Sequence, residues 1–203
     1  MKPLRILVAC EFSGIVRDAF IARGHDAWSC DLRLSNSGSN HICGDVLKVI
    51  DNDWDMMIAH PPCTFLTCTG NKWNHARFNR RVETRLANRE KAVAFFMAIA
   101  ECRISKYAIE NPVGIMSTRF RKPDQVIQPF EFGDPTRKAT CLWLRNLSPL
   151  ISTNVVAPKI VRFKSGKTMS ESYSPKGMPT RLRASHRSKT FKGIANAMAD
   201  QWG

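Results

Sequence analysis

The first two thirds of this chain alternate strands and helices in the order that builds a doubly wound, mostly parallel α/β sheet. Three observations predict that fold. Short, almost wholly apolar runs such as RILVAC and MMIAH read as strands buried on both faces. Amphipathic stretches between them read as crossover helices. Acids, prolines and a cysteine recur where strands stop, which is where ligands gather in such sheets.

The elements follow in order. KPLRILVAC, bounded by Pro3, is a strand, and EFSG is a turn. The stretch IVRDAFIARG has apolar residues at 15, 16, 19, 20 and 22 and a closing Gly24, so it reads as a helix. HDAWSCDL is a second strand ending in Asp31. A polar loop, RLSNSGSN, leads to HICGDV and a short segment around LKVIDN. DWDMMIAH is a strand that ends on two prolines, residues 84–102 carry a long helical pattern, and KYAIENP is a strand closed by proline. PFEFGDPTRKATCLWLRNLSPL reads as a loop and one strand, TCLWLR. From about 150 to 190 the chain loses periodicity and becomes rich in Ser, Pro, Lys and Arg; FKGIANAMADQW closes it as a helix. We expect an α/β domain over 1–148, a short basic arm over 149–186 and a returning helix over 187–203.

At 203 residues with 43% hydrophobic content the chain can bury a core without disulfides. Its seven cysteines are scattered and odd in number, as expected of reduced thiols in a cytoplasm. No apolar run approaches a bilayer span, and MKPLRILVAC turns polar too soon for a signal peptide. A net charge of +14 implies a polyanionic partner, nucleic acid by default.

The strand-end residues form an ordered set: EFSGI at 11–15, SCDL at 29–32, CGDV at 43–46, HPPCTFLT at 60–67, IENP at 109–112, RKAT at 137–140 and GIANAMADQW near the end. Taken together they resemble the DNA (cytosine-5) methyltransferase family, in particular its compact, often phage-encoded members. The resemblance implies a sheet of the S-adenosylmethionine-dependent methyltransferase (Rossmann-like) type with a minimal target-recognition region. It implies S-adenosyl-L-methionine as cofactor, held by Glu11, Phe12, Ser13, Gly14, Asp31, Leu32, Gly44, Asp45, Pro61, Asn196 and Ala197. Phe12 would pack beside the adenine, Asp31 would bind the ribose hydroxyls and Asp45 the adenine amino group. Cys63 would be the nucleophile, Glu110 the partner of the base edge, and Arg137 would stand behind the target base. No metal is implied.

The chemistry explains these residue types. Cytosine C5 is a poor nucleophile, but a thiolate adding at C6 makes the ring an enamine whose C5 can attack a sulfonium methyl. Prolines beside the thiol fix its loop. Reaching C6 requires flipping the base from duplex DNA, at a cost on the order of a few kcal/mol. Two basic segments would offset it. One contains Lys72, Arg77, Arg80, Arg81 and Arg85; the other contains Arg181, Arg183 and Arg187.

The chain departs from the family pattern at Cys10, where relatives carry an acid, at Ile15-Val16-Arg17, where further glycines are usual, and at Pro112. About forty residues separate TCLWLR from the closing helix, so sequence specificity would be short, relaxed or supplied by another protein. The competing readings are the same chemistry on tRNA and a nucleic-acid-binding scaffold with little turnover. Each residue also has a bland reading: Asp31 and Asp45 as caps, Cys63 as a buried thiol, the basic runs as solvated faces. His60, Cys63, Cys68 and His75 could pass for a zinc set, but Pro61-Pro62 and the lack of a CxxC pair argue against it.

Overall fold

A computed structural model of the chain describes residues 2–38, 40–162, 166, 168–170 and 189–203. Seven strands form one sheet: β1 (Arg5–Ala9), β2 (Asp26–Asp31), β3 (His41–Cys43), β4 (Met56–Ala59), β5 (Lys106–Pro112), β6 (Gln125–Ile127) and β7 (Thr140–Arg145). Their spatial order is β3-β2-β1-β4-β5-β7-β6. The first five run parallel, and β7 joins β5 antiparallel, with Glu110 opposite Leu142. A separate two-stranded ribbon joins β8 (Ile160–Arg162) to β9 (Thr168–Ser170).

Alternation along the strands sorts two cores. Ile6, Val8, Met56, Ile58 and Leu142 face one side, beneath α1 (Ile15–Ile21) and the terminal helix, numbered α4 below. Leu7, Ala9, Met57, Ile109 and Trp143 face the other, beneath α2 (Val82–Ala100). Trp143 is fully buried edge-on against Phe96, their ring centroids 5.2 Å apart. Burial on both faces is why these strands read as unbroken apolar runs. Among the described residues no helix is long and apolar enough to cross a membrane.

Chain order runs outward from β1 to β3 and resumes at β4 on the other side of β1. The sheet therefore has its switch point between β1 and β4, where a ligand crevice is expected. The loops leaving those two strands carry residues 10–14 and 60–67.

Between β5 and residue 129, a stretch to which the sequence reading assigns no element, lie a single-turn helix α3 (Met116–Arg119) and the edge strand β6. Both are too short to show periodicity, and β6 reads as three residues, QVI, within polar and proline-bearing sequence. Its pairing with β7 defines it. The expected helix over 84–102 starts at Val82 and stops at Ala100. The final helix, α4 (Lys192–Trp202), buries Ile194, Ala195, Ala197, Met198, Ala199 and Trp202.

Candidate functional site at the carboxyl edge of the sheet

The loop after β1 is built around Glu11. Its carboxylate is buried and accepts hydrogen bonds from Val16 N (2.8 Å), Arg17 N (3.2 Å) and the Ser13 hydroxyl (3.0 Å). The free N–H groups that open α1 are thereby capped by a fixed anion, which repels a phosphate from that position. Gly14 stands at φ 73°, and a Cβ there would strike the Arg17 guanidinium. Arg17 is fully buried and bonds Asp18, Ser29, Ser35 and the Ser37 carbonyl. The Arg17 side chain therefore ties Ser35, Ser37 and Asn40 to α1.

Asp31 and Asp45 close the same half of the edge. Asp31 accepts from Arg33 N at 2.9 Å, and Gly44 N donates to its carbonyl. Asp45 caps the short turn Val46–Lys48 through Leu47 N. Both carboxylates bear on the Cys10 thiol, which is pushed up to about 12 by burial first, then by Asp31, Cys30 and Asp45. Cys10 itself has φ 60°, a left-handed residue other than glycine at the switch point. The Arg33 guanidinium lies 3.5 Å from the Phe12 ring centroid and pairs with Asp31 at 3.3 Å. Leu32 projects with 78% of its surface exposed.

The other half of the edge is built from β4, β5 and β7. Cys63 lies on a loop fixed at three points. Pro61 is buried, and its carbonyl accepts from Asn111 Nδ2 at 2.8 Å. The Cys63 carbonyl accepts from Leu66 N and Thr67 N, and Ile115 N donates to the Leu66 carbonyl at 2.9 Å. Gly114 permits that last approach, since a Cβ there would come within 2.1 Å of the Leu66 oxygen. Beside the loop, His60 Nδ1–H donates to Glu110 Oε2 at 2.7 Å, with only 10% and 15% of the two side chains exposed. Burial by itself would raise the Glu110 carboxyl. The hydrogen bond and charge of His60, with Lys138, outweigh it and hold the group below the usual carboxylate range. Burial likewise opposes a charged His60, but Glu110 and then Glu11 raise it above the ordinary imidazole value, against Lys138. His60 Nε2 and Asn111 Oδ1 are buried with no hydrogen-bond partner among the described residues.

β7 runs against β5, so its amino end brings Arg137 and Lys138 to this edge. Arg137 is exposed, and Lys138 is the cation whose charge acts on Glu110 and His60. α4 runs alongside α1. Arg23 pairs with Asp200 near their carboxyl ends, and Gly193 N donates to Asp134 Oδ2. The amino-terminal half of α4 thus lies towards the carboxyl edge, with Ala197 buried and Asn196 exposed.

The basic segment after the Cys63 loop presents Lys72, Arg77, Arg80 and Arg81 to solvent, with Trp73 and Phe78 exposed among them. Lys72 lies over Trp73 and Arg77 over Phe78. Arg85 differs: it bonds Asn74 and the Gly70 carbonyl and lies over Phe65, tying this segment to α2. Arg181, Arg183 and Arg187 lie outside the described residues. Among the described residues no group of three or more His, Cys, Asp or Glu is arranged to hold a metal ion.

The expected residues on β1 to β5 thus share one edge of one sheet. Sequence reasoning missed the pairing of His60 with Glu110 and the reach of Lys138. His60 stands next to the Pro-Pro-Cys run, but in the sequence it suggests only a zinc ligand. Nothing local marks Lys138, because an antiparallel strand brings it there. No protein-family model matches the chain, and no curated protein matches it, so the functional reading rests on the site itself.

Proposed function

We propose that the chain is an S-adenosylmethionine-dependent methyltransferase acting at C5 of cytosine in DNA, with Cys63 as its nucleophile. One observation carries this reading. A thiol on a loop pinned at both ends and a buried carboxylate on the next strand flank the switch point of the sheet, opposite a half-site lined by acids.

The acidic half suits a cationic adenosyl cofactor better than a phosphate-bearing one. Glu11 already satisfies the N–H groups that a phosphate would seek. Asp31 and Asp45 offer acceptors for ribose hydroxyls and an amino group, and Phe12 offers an aromatic face. Leu32, Gly44, Ser13, Gly14, Pro61, Asn196 and Ala197 complete the binding set that the resemblance implies. When bound, S-adenosyl-L-methionine supplies an electrophilic methyl group on a positively charged sulfur.

The residues of the chain do the rest. Cys63 Sγ forms a bond to C6 of the flipped base, and electron density moves onto N3 and C5. Glu110 meets the N3/N4 edge and compensates charge that develops there. The fixed loop holds Sγ in line, which lowers the entropic cost of attack. Exposed Lys72, Arg77, Arg80 and Arg81 meet phosphates, while Trp73 and Phe78 offer faces for unstacked bases.

Trapping tests the proposal. Protein and S-adenosylmethionine are incubated with duplex DNA carrying 5-fluorocytosine, and in parallel with tRNA carrying the same base. The expected result is a denaturation-resistant adduct on DNA that disappears in Cys63→Ala. An adduct on tRNA alone would move the substrate to RNA. Binding without any adduct or methyl transfer would leave a nucleic-acid-binding scaffold.

A further inference from the structure

We propose that His60 and Glu110 form a buried dyad that holds one proton and delivers it to N3 of the base, His60 acting as a positioning residue through Glu110. The inference rests on the proposed function for the identity of the base, but the dyad itself can be measured without it.

The geometry supports a shared proton. His60 leaves the end of β4 with its backbone N–H held by the Ala9 carbonyl at 2.9 Å, which orients the ring toward β5. The 2.7 Å contact engages Nδ1–H with Oε2 alone and leaves Oε1 to meet a base edge. The charged groups facing the imidazole come from three other segments: Glu110 on β5, Glu11 after β1 and Lys138 before β7. The oxygens of Glu11 are already committed to Val16 N, Arg17 N and the Ser13 hydroxyl. Glu110 is therefore the carboxylate available to share the His60 proton. On β7 the buried Cys141 thiol, raised by burial and by Glu110, also faces the pair. A carboxylate alone cannot donate to N3, which is itself an acceptor. With the imidazolium beside it, the proton can reside on the carboxyl group.

The step balances. In the resting dyad His60 is cationic and Glu110 anionic. The Nδ1 proton first passes to Glu110 Oε2, giving a neutral imidazole and a carboxylic acid, and the carboxyl group turns to present that O–H to N3. As the Cys63 thiolate bonds to C6, the ring electron pair moves to N3 and takes this proton, which returns Glu110 to a carboxylate. The products are a neutral adduct protonated at N3, a neutral imidazole and a carboxylate. No other reactant is needed.

Nuclear magnetic resonance of protein carrying carbon-13 at histidine Cε1 tests the dyad in the intact chain. The His60 signal is expected to titrate above the ordinary imidazole value, and Glu110→Gln is expected to bring it below, because burial then acts unopposed. A His60 midpoint at or below the ordinary value, or one unmoved by Glu110→Gln, overturns the dyad. The pH profile of single-turnover methyl transfer tests its role. The wild-type rate should fall as pH rises through the His60 titration. In His60→Asn the last proton resides on a carboxyl, so that limb should move to lower pH, with a loss of about 10²-fold at neutral pH. An unchanged limb, with trapping intact in the wild type, removes the role of His60 and leaves the proposed function standing. Absence of any adduct in the wild type removes the proposed function, and the resonance titration still decides the dyad. Should His60→Asn not fold, the wild-type and Glu110→Gln titrations suffice.

Discussion

The two halves of the carboxyl edge are made by the same sheet but carry opposite chemistry. Over β1 to β3 the loops gather Glu11, Asp31 and Asp45. Over β4, β5 and β7 the Glu110 carboxylate is matched by His60 and faced by Lys138, and a basic, aromatic segment follows the Cys63 loop. The first half favours a cation and the second a polyanion. The transfer proposed above, between a positively charged methyl donor and DNA, would use that division, with the Cys63 loop beside the seam.

The largest expected effect breaks the seam. Gly114→Ala puts a methyl group against the Leu66 carbonyl, so the 60–67 loop must shift or the fold must strain by about 1–3 kcal/mol. Thermal denaturation should show a modest decrease, while adduct formation with 5-fluorocytosine DNA should drop on the order of a hundredfold, since a misplacement of about 1 Å suffices. Adduct formation at the wild-type level would mean the loop is not held by this contact.

The acidic half is tested next. Asp31→Ala should weaken S-adenosylmethionine binding about tenfold by calorimetry, the worth of roughly one hydrogen bond to a charged group, and leave DNA affinity unchanged. Equal reductions in both affinities would erase the division between the halves. Arg33→Ala should act in the opposite direction. Its guanidinium stands over Phe12 and pairs with Asp31, so a ligand must displace it. Releasing an interaction of about 1 kcal/mol predicts roughly fivefold tighter cofactor binding. Weaker binding would instead make Arg33 part of the cofactor cradle.

The smallest effect sharpens the basic half. Replacing Lys72 and Arg77 together by Ala should reduce the slope of log affinity against log salt by roughly 0.9 for each phosphate no longer neutralised. Arg85→Ala should leave that slope closer to its starting value and lower thermal stability, because its donors are used within the protein. Equal slopes for both variants would put the phosphate-binding surface elsewhere.

Much of this was legible in the sequence. Apolar runs marked β1, β2, β4, β5 and β7, helical patterning marked α1 and α2, and the closing stretch read as the helix α4. The recurrence of acids and the Pro-Pro-Cys run at strand ends pointed to the carboxyl edge of the sheet. Other features were not legible. Three-residue β6 is a strand only because β7 offers it a partner. Asn111 reads as part of a strand end, yet its amide fastens the Pro61 carbonyl fifty positions away. Nothing local marks Arg17 as buried, yet Ser29, Ser35, Ser37 and Asn40 gather around its guanidinium and the side chain is fully buried.

What the sequence determined by itself was the alternation of apolar and polar residues, hence the layers of the fold, and the residue types offered at each strand end. Only the tertiary structure decided which of those residues meet. Strand order puts β1 between β2 and β4, and the antiparallel β7 carries Lys138 back to an edge that chain order would assign elsewhere. The physical reason is that periodicity reports which face of an element is buried. The partner of a buried polar group such as His60 is set by long-range register, where a two-residue shift along a strand, about 7 Å, would separate the imidazole from Glu110.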